Sequence, residues 1–242
     1  MNFDNLDFLI YSSHKTSTQS LVKTFNNNSY STIHCHKLDN FNLEYGKKIK
    51  NNVIITYDTF IQGLINYKNS KNKKLKIISV IRNPNDRLLS SFFQTYYSAE
   101  INVFNKRKEE TTVYIKNEDE LCIFYEEQVK NKILPGRNES LDEISKILGI
   151  DIIEKLEKRE DYYYFNDNLF ELFVLDFNKI IDSNAIDYLN KILGTNLIKS
   201  YTDNLSSEKY YFDKYKNVKK ILGTKLNDVV EKQYKQFYFT AF

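Results

Sequence analysis

An apolar, largely β-branched run, Leu75–Ile81, passes almost directly into a pair of residues that is typical of a helix start. The run has the composition of a strand buried on both faces, which is the environment of a central strand in a parallel sheet. Asn83 is a favoured N-cap residue, and Pro84 suits the first helical position because no backbone amide is needed there. The sequence therefore predicts a buried strand followed at once by a helix.

Similar strand and helix signals come before this junction. Strands are predicted at Phe8–Tyr11, 32–36 and 53–56, and apolar residues recur at helical spacing from Leu21 to Phe25 and within 60–67. Helices between successive strands act as crossovers, and crossovers produce parallel neighbours. We therefore predict an α/β fold in which helices flank a central parallel sheet.

Beyond Pro84 the pattern changes to mostly helical. Apolar stripes follow the proline and recur near Ile144, and a helix over 187–193 is predicted to end at Gly194. One further strand is predicted at 172–175. Because no repeat or linker interrupts the 242 residues, we predict a single domain.

The charge balance excludes a broad nucleic-acid surface. Lys and Arg total 35 against 32 Asp and Glu, which gives a formal charge of +3. The dense basic run 68–76 lies in a predicted loop, where a solvated turn is the favoured interpretation. Two cysteines form no disulfide framework, and neither a secretory signal nor a membrane-length apolar run is present. These features predict a cytoplasmic protein without a membrane span.

The loop predicted after the first strand is rich in hydroxyl and cationic side chains. It reads Ser12-Ser13-His14-Lys15-Thr16-Ser17-Thr18-Gln19-Ser20. Backbone amides at a helix start point toward such a loop, and their partial positive charge favours an anion by about 0.3 to 1 kcal/mol. Lys15 adds a full charge, and the neighbouring hydroxyls can donate to phosphate or sulfate oxygens. The segment is a candidate oxyanion site, while helix capping is the structural alternative.

A nucleoside-triphosphate P-loop must be weighed for the same segment. That motif needs glycines where the backbone wraps around the phosphates. The first glycine of the chain is Gly46, well beyond the loop. A Walker loop is therefore excluded, and a nucleotide-dependent kinase of the same architecture stays as an alternative function only.

The second motif extends from Arg82 at the end of the buried strand to Ser90 within the following helix. At 100° per residue, the step from Asn83 to Ser90 is about two turns, so both lie on one helix face roughly 10 Å apart. A long Arg82 side chain can then meet Ser90 at a single phosphate. The structural alternative is that Arg82 covers the sheet edge and Ser90 bonds back to its own helix.

The two motifs together resemble those of the sulfotransferase family. Its first loop commonly reads Lys-x-Gly-Thr-Thr, here Lys15-Thr16-Ser17-Thr18-Gln19, and its second reads Arg-x-Pro-x-Asp with a serine eight residues after the arginine, here Arg82 and Ser90. The match covers residues 7 to about 97. Ser17 departs from the family's glycine, and the C-terminal Arg-Lys-Gly of many cytosolic members is absent, so the likeness is to bacterial glycan-modifying members.

This resemblance implies a P-loop NTPase-like three-layer fold and 3′-phosphoadenosine 5′-phosphosulfate as co-substrate. It divides the domain into a nucleotide-binding core, residues 1–97, and a divergent, mostly helical part, residues 98–242. The residues that it assigns to the 5′-phosphosulfate are Lys15, Ser17, Thr18, Gln19 and Ser20, with Thr16 between them. Arg82 and Ser90 are assigned to the 3′-phosphate. The implied acceptor is a carbohydrate or glycolipid hydroxyl used in polysaccharide biosynthesis, and no metal is implied.

Transfer also needs a base and positive charge on the leaving oxygen. Lys15 is the candidate for that charge. His34 and His36 share one face of the predicted second strand, and His36 is favoured as base because it is nearer the carboxyl end, where such sites open. Surface histidines, half of a metal site, Asp58 as the base, and contact of His14 with the phosphosulfate remain alternatives.

A non-catalytic interaction protein is the alternative from a different class. The departures at Ser17 and Gln19 motivate it, because they suit a nucleotide site that has decayed. Aromatic groups such as 162–165 and Tyr210, Tyr211 and Tyr215 can stack on sugar rings, although such residues more often belong to a core. Catalytic turnover distinguishes an active transferase from a decayed one.

Overall fold

The computed structural model describes residues 3–13, 16–36, 56–93, 117–131, 139–201 and 211–223. The chain divides into two units. One contains Met1–Arg82 and Asn138–Asp203, and the other contains Asn83–Arg137 and Asn204–Tyr238. We call the first the sheet unit, because it carries the six described strands, and the second the helical unit.

The helices and strands alternate in the first part of the chain and cluster by type in the second. In chain order they are β1 (Phe8–Tyr11), α1 (Thr18–Asn27), β2 (Thr32–Cys35), α2 (Tyr57–Lys71), β3 (Leu75–Ile81), α3 (Pro84–Phe92), α4 (Glu118–Lys130), α5 (Glu139–Leu148), α6 (Ile152–Lys155), β4 (Glu157–Lys158), β5 (Tyr162–Asn166), β6 (Phe170–Asp176), α7 (Phe177–Ile181), α8 (Ala185–Leu193) and α9 (Phe212–Leu222).

The strands form one sheet in the order β2-β1-β3-β6-β5-β4. Strand β1 pairs in parallel with β2 on one side and with β3 on the other, and β3 pairs in parallel with β6. The chain runs outward from β1 to β2 and then crosses back past β1 to reach β3. The strand order thus reverses between β1 and β3, whose carboxyl ends lie at the same edge. The predicted α/β class is confirmed.

The sheet is mixed, which corrects the predicted parallel sheet. Strand β5 pairs antiparallel with both β4 and β6. Only residues 167–169 connect β5 to β6, and the backbone amide of Asp167 donates to the carbonyl oxygen of Phe170 at 3.1 Å. Because a parallel pair needs a crossover of a dozen or more residues, a connection this short forces a hairpin.

The strand predicted at 172–175 is present within β6, but it is not the one further strand after residue 97, because β4 and β5 also lie there. Strand β5 has the sequence YYYFN, whose run of aromatic residues lacks the alternation that marks a strand. The rings of Tyr162 and Tyr164 lie 6.1 and 5.2 Å from that of Phe173, so both contribute to packing. The prediction of a single domain stays a prediction.

The core of the sheet unit has helices on both faces of the sheet. On one face, Phe8, Ile10 and Val80 pack with residues of α1 and α8. Side chains alternate along a strand, so Tyr11 does not share the face of Ile10. Its ring lies 6.0 Å from that of Phe60 in α2. This two-sided burial explains why the central strands have almost continuously apolar sequences.

The helical unit is built from α3, α4 and α9 around aromatic and leucine side chains such as Phe92, Tyr125 and Leu222. The predicted start of α3 is confirmed. The side chain of Asn83 accepts from the amides at positions 85 and 86 at 3.0 and 3.3 Å, with proline at the start of the helix. Asp86 also forms an ion pair of 2.7 Å with Lys219 of α9.

Most of the predicted elements that fall on described residues are present. The strands at Phe8–Tyr11 and Leu75–Ile81 have the predicted bounds, the second strand ends one residue early, and α8 ends at Leu193 with Gly194 as its C-cap at φ of 66°. In the predicted strand 53–56, residues 53–55 lie outside the described residues, and Thr56 is the N-cap of α2. Among the described helices, none combines the length and apolar character that a bilayer crossing requires.

Candidate functional site

The loop after β1 is fixed by buried hydroxyl groups. The Ser12 hydroxyl accepts from the amide of Val80 at 2.9 Å and lies 3.1 Å from the carbonyl oxygen of the same residue. The hydroxyl of Thr16 lies 2.9 Å from that of Ser12 and donates to the carbonyl oxygen of Ser13 at 2.6 Å. Both side chains are almost fully buried. They shape the loop and attach it to β3, so a role for Thr16 in nucleotide binding would involve its backbone.

The loop enters α1 through a left-handed residue. Ser17 has φ of 57° and ψ of 27°, and as N-cap it makes no side-chain capping bond to the first turn. This conformation costs an L-residue roughly 1 to 2 kcal/mol, and glycine is its usual occupant. Ser17 occupies the position at which the resembled family has glycine. The backbone of Ser17 thus has a conformation that glycine adopts most readily.

The other predicted loop residues follow at the start of α1. Thr18 is buried, Gln19 is exposed and Ser20 is half-buried. Lys15 and His14 lie outside the described residues, so their predicted roles stay predictions. Of the predicted phosphosulfate ligands that the structure describes, the one with an exposed side chain is Gln19.

The end of β3 carries Arg82, whose guanidinium lies over an aromatic ring. Its Cζ atom is 4.3 Å from the ring centre of Phe177, the first residue of α7. Ile81 pairs with Asp176, so Arg82 and Phe177 follow neighbouring parallel strands at the same edge of the sheet. The ring orients the guanidinium plane. Sequence reasoning missed Phe177, although its place two residues after the predicted strand 172–175 was a usable signal.

These two loops flank the point where the strand order reverses. In open α/β sheets, ligands bind outside the carboxyl ends of the strands at such a point. Ser12 follows β1 and Arg82 follows β3, and the bonds from Ser12 to Val80 hold the two strand ends together. The sheet unit therefore brings the first loop and the arginine of the second motif to one edge.

Ser90 lies in a different unit from Arg82. It is a half-buried residue of α3 in the helical unit, whereas Arg82 is the last residue of the first segment of the sheet unit. The helical spacing that puts Ser90 two turns after Asn83 is confirmed, because α3 is continuous from Pro84 to Phe92. The joint role of Arg82 and Ser90 stays a prediction from that spacing.

The two histidines meet at the end of β2. Their ring centres are 5.1 Å apart, as expected for alternate residues of one strand. His34 is 8% exposed, and burial, with a smaller contribution from the neighbouring imidazole, lowers its pKa to about 4. His34 is thus neutral at physiological pH. A buried neutral ring suits packing beside His36 better than proton exchange with an acceptor.

The ring of His36 is held by the first loop. Its Nδ1 atom lies 2.7 Å from the carbonyl oxygen of Ser12. A carbonyl oxygen only accepts, so Nδ1 carries the proton and Nε2 of the neutral ring carries the lone pair. His36 is half-buried, and this contact joins the end of β2 to the loop that follows β1. Of the two histidines, His36 is the less buried one, and its role as the base stays a prediction.

A carboxylate from the divergent part of the chain also reaches this edge. The hydroxyl of Tyr11, the last residue of β1, donates to Oε2 of Glu143 in α5. Burial, together with Glu143, raises the pKa of Tyr11 well above its usual range. One turn earlier, the hydroxyl of Ser140 lies 3.2 Å from that of Ser79 in β3. No sequence signal pointed to Glu143, because its partner is 132 positions away.

The remaining candidates are less closely connected to this edge. Asp58, the rival base, is an exposed residue in the first turn of α2. No group of three or more histidine, cysteine, aspartate or glutamate side chains that could hold a metal ion occurs among the described residues.

In searches of protein-family models, curated proteins and solved structures, no match to this chain was found.

Proposed function

We propose that the chain is a sulfotransferase that moves a sulfuryl group from 3′-phosphoadenosine 5′-phosphosulfate to a hydroxyl of a carbohydrate or glycolipid. The observation that carries the proposal is the conformation of Ser17. A left-handed residue joins the loop after β1 to α1 at the position where the resembled loop has glycine. Such a turn aims successive backbone amides at one point, which is what an oxyanion needs.

The architecture supports the same proposal. The parallel strands β2, β1, β3 and β6 have helices on both faces, and the loop in question follows β1, next to the strand-order reversal. We therefore propose that the sheet unit has a P-loop NTPase-like three-layer fold. In such a fold the loop between the first strand and first helix is the phosphate-binding loop.

Arg82 is proposed to hold the 3′-phosphate of the nucleotide, and a role for Ser90 is expected from the sequence spacing alone. A guanidinium offers five donors in a plane and binds phosphate through two of them. The ring of Phe177 keeps that plane in one orientation, so less entropy is lost when phosphate binds. The bisphosphate would then be bound at its 5′ end by the first loop and at its 3′ end by Arg82.

His36 is proposed as the base of the transfer step. Nε2 takes the proton of the acceptor hydroxyl while the acceptor oxygen forms a bond to sulfur. The bond from sulfur to the bridging oxygen breaks at the same time, and 3′,5′-adenosine bisphosphate leaves with that oxygen. The N–H group at Nδ1 donates to the carbonyl oxygen of Ser12, so the ring keeps its orientation when it becomes positively charged. Lys15 is proposed to neutralise the leaving oxygen.

The decisive measurement is thermal stability with 3′,5′-adenosine bisphosphate. A ligand present at 100 times its dissociation constant should add about 2.7 kcal/mol to the free energy of unfolding. We expect a clear rise for the wild-type chain. The control ligand is adenosine 5′-monophosphate, which lacks the 3′-phosphate and should stabilise much less at the same concentration.

Two variants make this test specific. Arg82→Ala should lose most of the difference between the two nucleotides, whereas Arg159→Ala, which removes an exposed arginine paired with Glu157 in β4, should retain it. Equal stabilisation by both nucleotides in the wild-type chain would remove the sulfotransferase proposal. Transfer of labelled sulfate to a glycan panel then tests the acceptor class, and nucleotide binding without transfer would favour a non-catalytic protein.

A further inference from the structure

A groove rich in lysine lies at the amino-terminal edge of the sheet, at the opposite ends of β1 and β3 from the proposed nucleotide site. About 440 Å³ of space lies within it, part of which is open solvent. Phe8, the first residue of β1, and its neighbour Lys76 in β3 belong to its wall. The turn between α2 and β3 supplies Lys73 and Lys74, and the residues after α8 close the other side.

The lysine ammonium groups are held in place by neutral acceptors. Nζ of Lys74 donates to Oδ1 of Asn166 at 2.7 Å, and Nζ of Lys76 donates to the carbonyl oxygen of Leu193 at 2.8 Å. An ammonium group has three donors, and a neutral partner leaves its charge in place. Both side chains are half-buried, so little further entropy is lost when they bind a ligand.

Aromatic rings lie beneath two of the lysines. Phe8 and Tyr67 are 3% and 1% exposed and form part of the groove wall. Nζ of Lys76 is 5.9 Å from the ring centre of Phe8, and Nζ of Lys73 is 6.0 Å from that of Tyr67. An apolar wall lowers the local dielectric, so these charges are screened less than they would be on an open surface.

One carboxylate, that of Asp7, belongs to the same wall. Its Oδ2 atom accepts from the amide of Ser31 at 2.9 Å. Three ammonium groups thus face one carboxylate, and the groove keeps a net positive charge. In the sequence alone, these lysines belong to a basic run that is indistinguishable from a solvated turn. In the structure, three of these lysines instead line one concave, partly apolar groove.

We propose that this groove binds a tetrahedral oxyanion, a phosphate or sulfate group, either free or carried by a small sugar. The three ammonium groups offer donors from one side, and the volume of the groove exceeds what a bare oxyanion fills. The site lies away from the proposed nucleotide site, and it does not depend on the proposed transferase activity.

The test is a titration of the full chain followed by amide NMR, which reports binding at each position separately. Inorganic phosphate and glucose 6-phosphate are the two probes, with chloride at matched ionic strength as the reference. We expect saturable shifts at Lys74, Lys76, Gly194 and Thr195. Tighter binding of glucose 6-phosphate identifies a sugar-borne group, whereas tighter binding of phosphate identifies the free ion, and either result supports the site.

Two double variants control for general charge effects. Lys73→Gln/Lys74→Gln should weaken binding of both probes at least about tenfold, because charge-assisted contacts of roughly 1.5 kcal/mol or more are lost. Lys68→Gln/Lys71→Gln removes the same charge from α2, outside the groove, and should leave the affinity nearly unchanged. Shifts that chloride reproduces, shifts absent from the groove, or equal weakening by the two double variants would each overturn the proposal.

Discussion

Nδ1 of His36 and the carbonyl oxygen of Ser12 are 2.7 Å apart, and this contact determines which ring nitrogen can act as a base. Replacement of His36 by Asn keeps an N–H group near the position of Nδ1 but removes Nε2. We expect affinity for 3′,5′-adenosine bisphosphate to stay unchanged, while the rate of sulfuryl transfer falls by about 10²- to 10⁴-fold. Single-turnover transfer and nucleotide titration measure the two quantities separately.

Asp58 provides the matched control for this prediction, since it is the rival base and is exposed on the first turn of α2. Asp58→Asn should transfer at nearly the wild-type rate. Slow sulfuryl transfer by Asp58→Asn together with near-wild-type transfer by His36→Asn would indicate that Asp58, rather than His36, is the base.

The left-handed backbone conformation of Ser17 predicts how substitutions at this position change the free energy of unfolding. Glycine adopts this conformation without the steric cost, although it loses more backbone entropy on folding. We expect Ser17→Gly to raise the free energy of unfolding by up to about 1 kcal/mol, and Ser17→Val to lower it by at least about 1 kcal/mol. Denaturant unfolding measures both changes.

Nucleotide affinity should follow the same order at position 17. If the backbone turn binds the phosphosulfate, glycine keeps the site and valine weakens it. Ser17→Ala controls for loss of the hydroxyl, because alanine removes that group without adding a branch. Equal weakening of binding by the glycine and alanine variants, relative to serine, would mean that the serine hydroxyl, rather than the turn, contacts the nucleotide.

The parts of the fold that sequence could predict are those with strong local signals. Leu75–Ile81 is buried on both faces and is therefore mostly apolar, and the side chain of Asn83 caps α3 while Pro84 suits its first turn. These signals concern neighbouring residues, so no knowledge of tertiary contacts was needed. They also predicted which loops follow which strands, and hence the edge of the sheet where the candidate site lies.

The parts that sequence missed depend on long-range contacts. Strand β5 is aromatic throughout, and its role is fixed by a hairpin with β6 rather than by its own pattern. The contact between Tyr11 and Glu143 joins residues 132 positions apart. Nothing local distinguishes Glu143 from the exposed acidic residues of other helices. The arrangement of three lysines around one groove also depends on a long-range contact, since the end of α8 must lie beside β3.

The buried imidazole of His34 predicts a specific dependence of stability on pH. Its pKa is lowered to about 4 in the folded chain, against about 6.5 for an unperturbed histidine. Between these values the unfolded state binds a proton that the folded state does not, so stability falls as the pH falls. From pH 7 to pH 5 this group alone should reduce the free energy of unfolding by about 2 kcal/mol.

Comparison with His34→Gln isolates this contribution, because all other groups titrate in both proteins. Unfolding in denaturant at pH 7 and pH 5 gives two differences, and the wild-type chain should lose about 2 kcal/mol more than the variant. Equal losses would show that His34 is protonated in the folded chain at pH 5.

Phe177 should affect nucleotide selectivity through Arg82, over which its ring lies at 4.3 Å. Phe177→Leu keeps apolar bulk but removes the aromatic face, which is worth roughly 0.5 to 1 kcal/mol to a cation. We expect affinity for 3′,5′-adenosine bisphosphate to fall about threefold, with affinity for adenosine 5′-monophosphate unchanged. Arg82→Lys should lose more of this selectivity, because an ammonium group cannot bind phosphate in a planar, two-point manner. A uniform loss for both nucleotides would instead indicate a general distortion of the edge.

The bond between Tyr11 and Glu143 provides the last prediction, since it links the end of β1 to α5. Tyr11→Phe retains the ring beside Phe60 but leaves a half-buried carboxylate without this donor. The free energy of unfolding should fall by about 1.5 to 3 kcal/mol. Glu143→Gln keeps an acceptor oxygen and should cost less. In the double variant Tyr11→Phe/Glu143→Gln, the two losses should not add, and a coupling of at least about 0.5 kcal/mol is expected from a double-mutant cycle. Additive losses would mean that the two side chains act independently, and α5 would then be held to the sheet by its apolar residues and by the Ser140 contact with Ser79 alone.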